Sequence, residues 1–237
     1  MQEMKSEMAL DEAQAVVANF APRSYYVEQY RAWEQTHFPF LWKILGGADV
    51  RGTLLDIGPG WGTMPVWASS WGWDVTCIDV IGLDEDAAYI TRDLLDYASV
   101  RYEELDIEMS FLDEEFDVVV MSDVIQHLRG RPDGALFHAK QMVRGAFVCA
   151  TQNPLFHPAS YQQATYGDDW RSMPLAEVAP PVHSPLTCSY SAKTFRELML
   201  SVFGDAVEIS GPAESRHLFG VWRSPSRDNK ICYQSTG

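Results

Sequence analysis

Residues 54–60 read Leu54-Leu55-Asp56-Ile57-Gly58-Pro59-Gly60, and Trp61-Gly62 follow directly. An apolar run ends on a carboxylate and breaks into a glycine-rich turn ahead of a helical stretch. Strand, glycine turn, helix: that order admits few folds. A helix beginning on such a turn presents unpaired backbone N–H groups to a ligand. Glycine is needed there because a β-carbon would block the ligand's approach. A second run, Val75-Thr76-Cys77-Ile78-Asp79, ends on another carboxylate. Together the two runs describe a pocket for a nucleotide-type cofactor.

The surrounding pattern agrees. Ala13, Val16, Val17 and Phe20 keep helical spacing, and residues 9–20 and 24–45 read as two helices. Pro39 is expected to kink or break the second. Strands are then predicted at 53–57, 74–79, 100–105, 116–121 and 146–150, with helices at 63–71, 84–97 and 131–143. The link between the third and fourth strands is short for a parallel crossover, which suggests a missed helical turn there. Residues 191–203 form a further helix with Ser191 as N-cap. Strands at 206–209 and 217–222 flank Gly211-Pro212 as a final hairpin. The expected fold is α/β: a doubly wound, mostly parallel seven-stranded sheet, with helices on both faces and a C-terminal antiparallel hairpin. Residues 1–48 form an N-terminal helical cap, 49–223 the main domain and 224–237 a flexible tail. Residues 152–190 hold six prolines and little periodicity. A loop of that length is read as an insertion that covers the substrate.

The glycine spacing separates two cofactor classes. Nicotinamide and flavin enzymes use G-x-G-x-x-G, whose third glycine falls here on Thr63. Asp56 would also set a negative charge beside a pyrophosphate. A carboxylate instead suits a ligand with a positive group, such as the α-amino group of S-adenosylmethionine. Asp79 is placed to accept hydrogen bonds from ribose hydroxyls, a role common to both classes.

Asp56-Ile57-Gly58-Pro59-Gly60-Trp61-Gly62 resembles the first motif of the class I S-adenosylmethionine-dependent methyltransferases. Asp79 matches that family's ribose-binding acid. Asp106, in Glu104-Leu105-Asp106-Ile107-Glu108, matches its adenine-edge acid. The run from Phe116 to Leu128 resembles its fourth strand and following loop. The resemblance spans about residues 50–223. It implies a methyltransferase that releases S-adenosylhomocysteine. It sets the cofactor against Asp56, Gly58, Pro59, Gly60 and Gly62, then Asp79 and Val80, then Asp106 and Ile107, then Ser122 and Asp123, with Tyr26 contributed by the cap. Each acid alone also reads as a capping or solvated residue. Three at successive strand ends, after one glycine loop, form a site pattern.

Methyl transfer requires alignment of the acceptor and, for some acceptors, removal of a proton. Candidate bases are His127, after the fourth strand, and His157 and His183, within the insertion. His217 opens the last hairpin and is a further candidate to face the site. Each also reads as a structural histidine. Asp123 reads as a ligand contact or as a turn former. Asp123 and Asn153 supply only two of the ligands that a magnesium site needs, so no metal is expected.

Acidic residues number 33 against 18 basic ones, and the net charge is −15. Such a surface repels polyanions, so neither nucleic acid nor an anionic membrane is an expected partner. No apolar run approaches the length of a membrane span. The four cysteines are dispersed, with no C-x-x-C pair, which fits the reducing cytoplasm. The expected acceptor is a small molecule methylated on oxygen or nitrogen. The alternatives are a nicotinamide-dependent oxidoreductase on a related fold and a non-catalytic S-adenosylmethionine-binding protein. Monomer and homodimer both remain open.

Overall fold

The strands of a buried sheet need apolar side chains on both faces, and the central strands have them. In β4 (Phe116–Ser122), Val118 and Val120 point to one core while Val119 and Met121 point to the other. In β1 (Thr53–Ile57), Leu54 joins the first of these cores, and Leu55 and Ile57 the second. A computed structural model of the chain describes residues 7–20, 30–46, 51–83, 89–128, 130–152, 190–210 and 217–225. The other strands are β2 (Asp74–Asp79), β3 (Arg101–Glu104), β5 (Val143–Gln152), β6 (Val207–Ser210) and β7 (His217–Arg223). They form one seven-stranded sheet of order β3-β2-β1-β4-β5-β7-β6. Pairing is parallel from β3 through β5. It is antiparallel where β7 lies between β5 and β6.

Helices cover both faces. The first core includes residues of α1 (Leu10–Phe20), α2 (Arg31–Ile44), α3 (Thr63–Ser70) and α4 (Arg92–Ala98). The second holds α5 (Pro132–Gln141) and α6 (Ala192–Phe203). Ser191 caps α6 as expected, its Oγ accepting from Thr194 N at 3.1 Å. Thr91 does the same for α4 through Leu94 N at 3.3 Å. The fold class matches the expectation from sequence.

Two local expectations differ. The link from β3 to β4 contains turns and no helix. Residues 105–115 carry the chain without a helix from β3 at the sheet edge past β2 and β1 to β4, which pairs with β1. Helix α2 continues through Pro39 instead of breaking there. Phe38 and Leu41, on either side, are both buried in the first core. Their packing offsets the hydrogen bond that the proline removes.

The sheet reverses its winding between β1 and β4, which are neighbours with Ile57 opposite Met121. Open α/β sheets bind ligands in the crevice at such a switch point, outside the strands' carboxyl ends.

Candidate active site at the β1–β4 switch point

The glycine loop leaves β1 at this crevice. Gly58, Gly60 and Gly62 all have positive φ, at 69°, 55° and 89°. Gly58 N donates to Ile78 O at 2.8 Å, and Gly62 N to Pro59 O at 2.9 Å, which folds the turn back over the sheet. A β-carbon at Gly58 would lie 2.4 Å from Val124 Cγ2, so the loop is packed hard against the end of β4. At Gly60 a β-carbon would meet nothing within 4 Å, so that side of the turn faces open space. Gly62 is the N-cap of α3.

Two carboxylates flank the turn. Asp56 is buried, and burial, reinforced by the charge of Asp79, raises its pKa to about 7. Asp79 ends β2 and accepts from Ile81 N at 3.1 Å. Burial raises its pKa as well, against backbone hydrogen bonds that lower it. The pair is costly to keep ionised without a positive or hydrogen-bonding ligand between them. Val80 is exposed beside Asp79. Leu105 N donates to Asp79 O at 2.8 Å, which sets Asp106 next along the rim. Asp106 Oδ1 accepts from Glu108 N at 3.0 Å and so closes a turn. Ile107 is buried, and its carbonyl accepts from His138 Nδ1 at 2.7 Å.

At the end of β4, the buried Ser122 Oγ has no hydrogen-bond partner among the described residues. Asp123 adopts φ +57°, a left-handed conformation unusual outside glycine. Its carboxylate is held from several sides. Gln126 Nε2 donates to Oδ1 at 2.9 Å, and Thr151 Oγ1 in turn donates to Gln126 Oε1 at 3.1 Å. Oδ2 accepts from Trp33 Nε1 at 3.3 Å and lies 3.0 Å from His217 Nε2. His37 Nε2 stands 3.7 Å from the same oxygen. The His37 and His217 rings stack with centroids 4.2 Å apart. Burial pushes the carboxyl of Asp123 up, but the charge and hydrogen bond of His217, then His37 and Gln126, hold it well below the usual range. Burial, and then His217, lower His37 to about 4, against the pull of Asp123 and Trp33, so its ring is neutral.

The sequence-derived residues are thus distributed unevenly. Asp56, the glycines, Asp79, Ser122 and Asp123 lie at the carboxyl ends of adjacent strands. His127 is exposed on a short 3-10 turn and stands outside the His37–Asp123–His217 cluster. Tyr26, His157 and His183 fall outside the described residues. Sequence reasoning missed Trp33 and His37. Its only available signal was their spacing of four, which puts both on one face of α2.

Residues 26–202 match the model of a family described as a methyltransferase domain. The chain belongs to that methyltransferase family, and its fold is the class I fold. Among solved structures, a DhpI–SAH complex is 15% identical, with a TM-score of 0.53 over 94% of this chain and 98% of that one. The Burkholderia thailandensis 1,6-didemethyltoxoflavin-N1-methyltransferase, with 1,6-didemethyltoxoflavin and S-adenosylhomocysteine bound, is 16% identical. Its TM-score is 0.54 over 92% of this chain and 91% of that one. The N-methyltransferase NodS from Bradyrhizobium japonicum WM9, with S-adenosyl-L-homocysteine, is 14% identical, with a TM-score of 0.51 over 91% and 98%. No curated protein matches the sequence.

Proposed function

We propose that the protein transfers a methyl group from S-adenosylmethionine to a small-molecule acceptor, at oxygen or nitrogen. The observation that carries this is the left-handed glycine turn set between two strand-end acids, the buried Asp56 and the half-buried Asp79. An α-ammonium group beside Asp56 compensates a carboxylate that burial otherwise neutralises, and ribose hydroxyls supply donors to Asp79. A pyrophosphate in the same turn would meet Asp56 with like charge, which argues against a nicotinamide cofactor. Ser122 and Asp123 adjoin the turn and line the acceptor side. The similar structures named above include two N-methyltransferases, one holding a small heterocycle, which supports a small acceptor. Cys77 and Cys149 are buried free thiols, in keeping with a cytoplasmic location. Among the described residues, no helix is long and apolar enough to cross a membrane.

Calorimetric titration tests the reading. S-adenosylhomocysteine should bind with one site per chain and NADH should not. Asp79→Ala should weaken that binding about tenfold, the loss of one or two charge-assisted hydrogen bonds. Unchanged affinity would sink the ribose assignment. Transfer of labelled methyl to at least one oxygen- or nitrogen-bearing metabolite then separates an enzyme from a binding protein.

A further inference from the structure

His37, Asp123 and His217 each offer one ligand atom, and these atoms lie within 4.8 Å of one another. We propose that they form a site for a divalent transition-metal ion at the acceptor side of the crevice.

The donor set is two imidazoles and one carboxylate, which suits Zn²⁺, Fe²⁺, Co²⁺ or Mn²⁺ better than Mg²⁺. The spacing is close to what one ion needs. Two ligands about 2.1 Å from an ion stand about 3.0–3.4 Å apart at octahedral or tetrahedral angles. Asp123 Oδ2 is 3.0 Å from His217 Nε2 and 3.7 Å from His37 Nε2. All three ligand atoms lie within 4.8 Å of one another, so the widest pair closes by about 1 Å or more around an ion.

The tautomer of His37 is fixed. Its Nδ1 lies 3.1 Å from the Trp33 carbonyl oxygen, which can only accept, so Nδ1 carries the proton. The Nε2 lone pair is left beside Asp123 Oδ2, itself an acceptor. Two acceptors held 3.7 Å apart gain from a cation between them. The ligands are also oriented as metal ligands commonly are. Trp33 Nε1 donates to Asp123 Oδ2, and Gln126, anchored by Thr151, donates to Oδ1. His37 and His217 are buried at 2% and 0% exposure, whereas the Asp123 side chain is 22% exposed. An ion's open positions therefore lie on the Asp123 side. Asp123 precedes Val124, the residue against which Gly58 packs. On the methyltransferase reading, which this role rests on, an ion there would hold an acceptor hydroxyl and ease its ionisation. When the ion enters, the His217 proton moves from Nε2 to Nδ1, so that Nε2 offers its lone pair and the imidazole stays neutral.

The full-length protein, stripped with chelator, should bind one equivalent of Co²⁺ with visible absorption bands. Zn²⁺ should displace it and Mg²⁺ should not. His37→Gln and His217→Gln should each weaken Co²⁺ binding at least 100-fold. Trp33→Phe, which removes a supporting hydrogen bond and part of the ring packed against His217, should weaken it about tenfold. Should a buried histidine variant fail to fold, the wild type still decides: spin-echo spectra of the Cu²⁺-loaded protein should count two imidazole nitrogens. The proposal is overturned by no stoichiometric binding to folded wild type, by fewer than two imidazoles, or by binding that survives both histidine substitutions. The cluster is then a hydrogen-bonded one only. Direct metal binding needs no methyl donor, so its failure is separate from failure of S-adenosylhomocysteine to bind.

Discussion

At the scale of single residues, Asp56 joins stability to ligand binding. Its pKa in the folded protein is raised to about 7, well above an unfolded aspartate. The folded state therefore holds a proton that the unfolded state has lost, and stability falls as pH rises from about 4 to 7. Asp56→Asn removes that penalty. The variant should be more stable than wild type at pH 8 by about 1–3 kcal/mol and nearly equal to it at pH 4, as read from urea unfolding. Asp79 is raised by burial too, so a smaller slope should persist. The same variant should bind S-adenosylhomocysteine more weakly, since the amide cannot balance an ammonium. In wild type the ammonium draws Asp56 to its ionised form, so binding should release a proton near pH 7, and affinity should rise between pH 6 and 8. Calorimetry in buffers of different ionisation enthalpy measures that proton. No proton release, or an Asp56→Asn variant with undiminished affinity, would remove the ammonium from this position. Asp56 stood out in the sequence because it precedes the glycines directly. Its burial did not, because burial depends on β2 and β4 lying to either side.

At the scale of elements, β4 carries chemistry at one end and structure at the other. Asp117, near its start, accepts from Arg144 Nε and Nη2, both at 2.8 Å, and from Thr53 N at 3.1 Å. This ties β1, β4 and β5 together below the site. Gly145 permits it, because a β-carbon there would lie 2.3 Å from the Asp117 carbonyl oxygen. The Arg144 hydrogen bonds, with those of Thr53, hold the Asp117 carboxyl well below its ordinary range despite some burial. A carboxyl depressed on folding contributes stability that is present above pH 4 and is lost as pH falls below that. Arg144→Ala should cost about 1–2 kcal/mol at pH 7, allowing for its partial exposure, and should flatten the loss of stability below pH 4. S-adenosylhomocysteine affinity should not change, because Asp117 and Asp123 are about 20 Å apart along the strand. A change in affinity would show that the two ends are coupled. The elements themselves were largely legible, because apolar runs such as Val118–Met121 and the strand-end acids identify buried parallel strands. Two things were not. Pro39 is a strong local signal that tertiary packing overrides, and the strand order that carries the β3–β4 link past β2 and β1 leaves no local pattern in the sequence. His37 escaped because nothing local marks it. It gains meaning only when α2 lies over the ends of β4 and β7, 86 and 180 residues further along the chain.

At the scale of the whole molecule, the N-terminal helices are part of the core rather than an addition to it. Ala13, Val17, Phe38, Leu41 and Leu45 are buried in the same cluster as Leu54, Val118 and Val148 of the sheet. Met8 O accepts from both Trp67 Nε1 at 3.0 Å and Trp71 Nε1 at 2.9 Å, and Met8 N donates to Ser70 Oγ at 3.2 Å. Trp42 packs on Trp67 with ring centroids 4.6 Å apart, and Phe40 on Phe219 at 4.5 Å. Removing residues 1–48 would therefore uncover a continuous apolar face that includes Trp67, Trp71 and Phe219, and would leave two indole N–H groups without their acceptor. Exposed apolar areas of that kind drive association. The net charge of −15 opposes association at long range, but salt screens that repulsion within about 8 Å at physiological ionic strength. The truncated chain should accordingly run as aggregates on size exclusion at 0.15 M salt and should lack a cooperative unfolding transition, while the full chain unfolds in one. A truncated chain that stays dispersed and melts at the full chain's temperature would make residues 1–48 a separable cap. In that case Trp33 and His37 would belong to a movable element, and closure over Asp123, rather than the fold itself, would build the cluster.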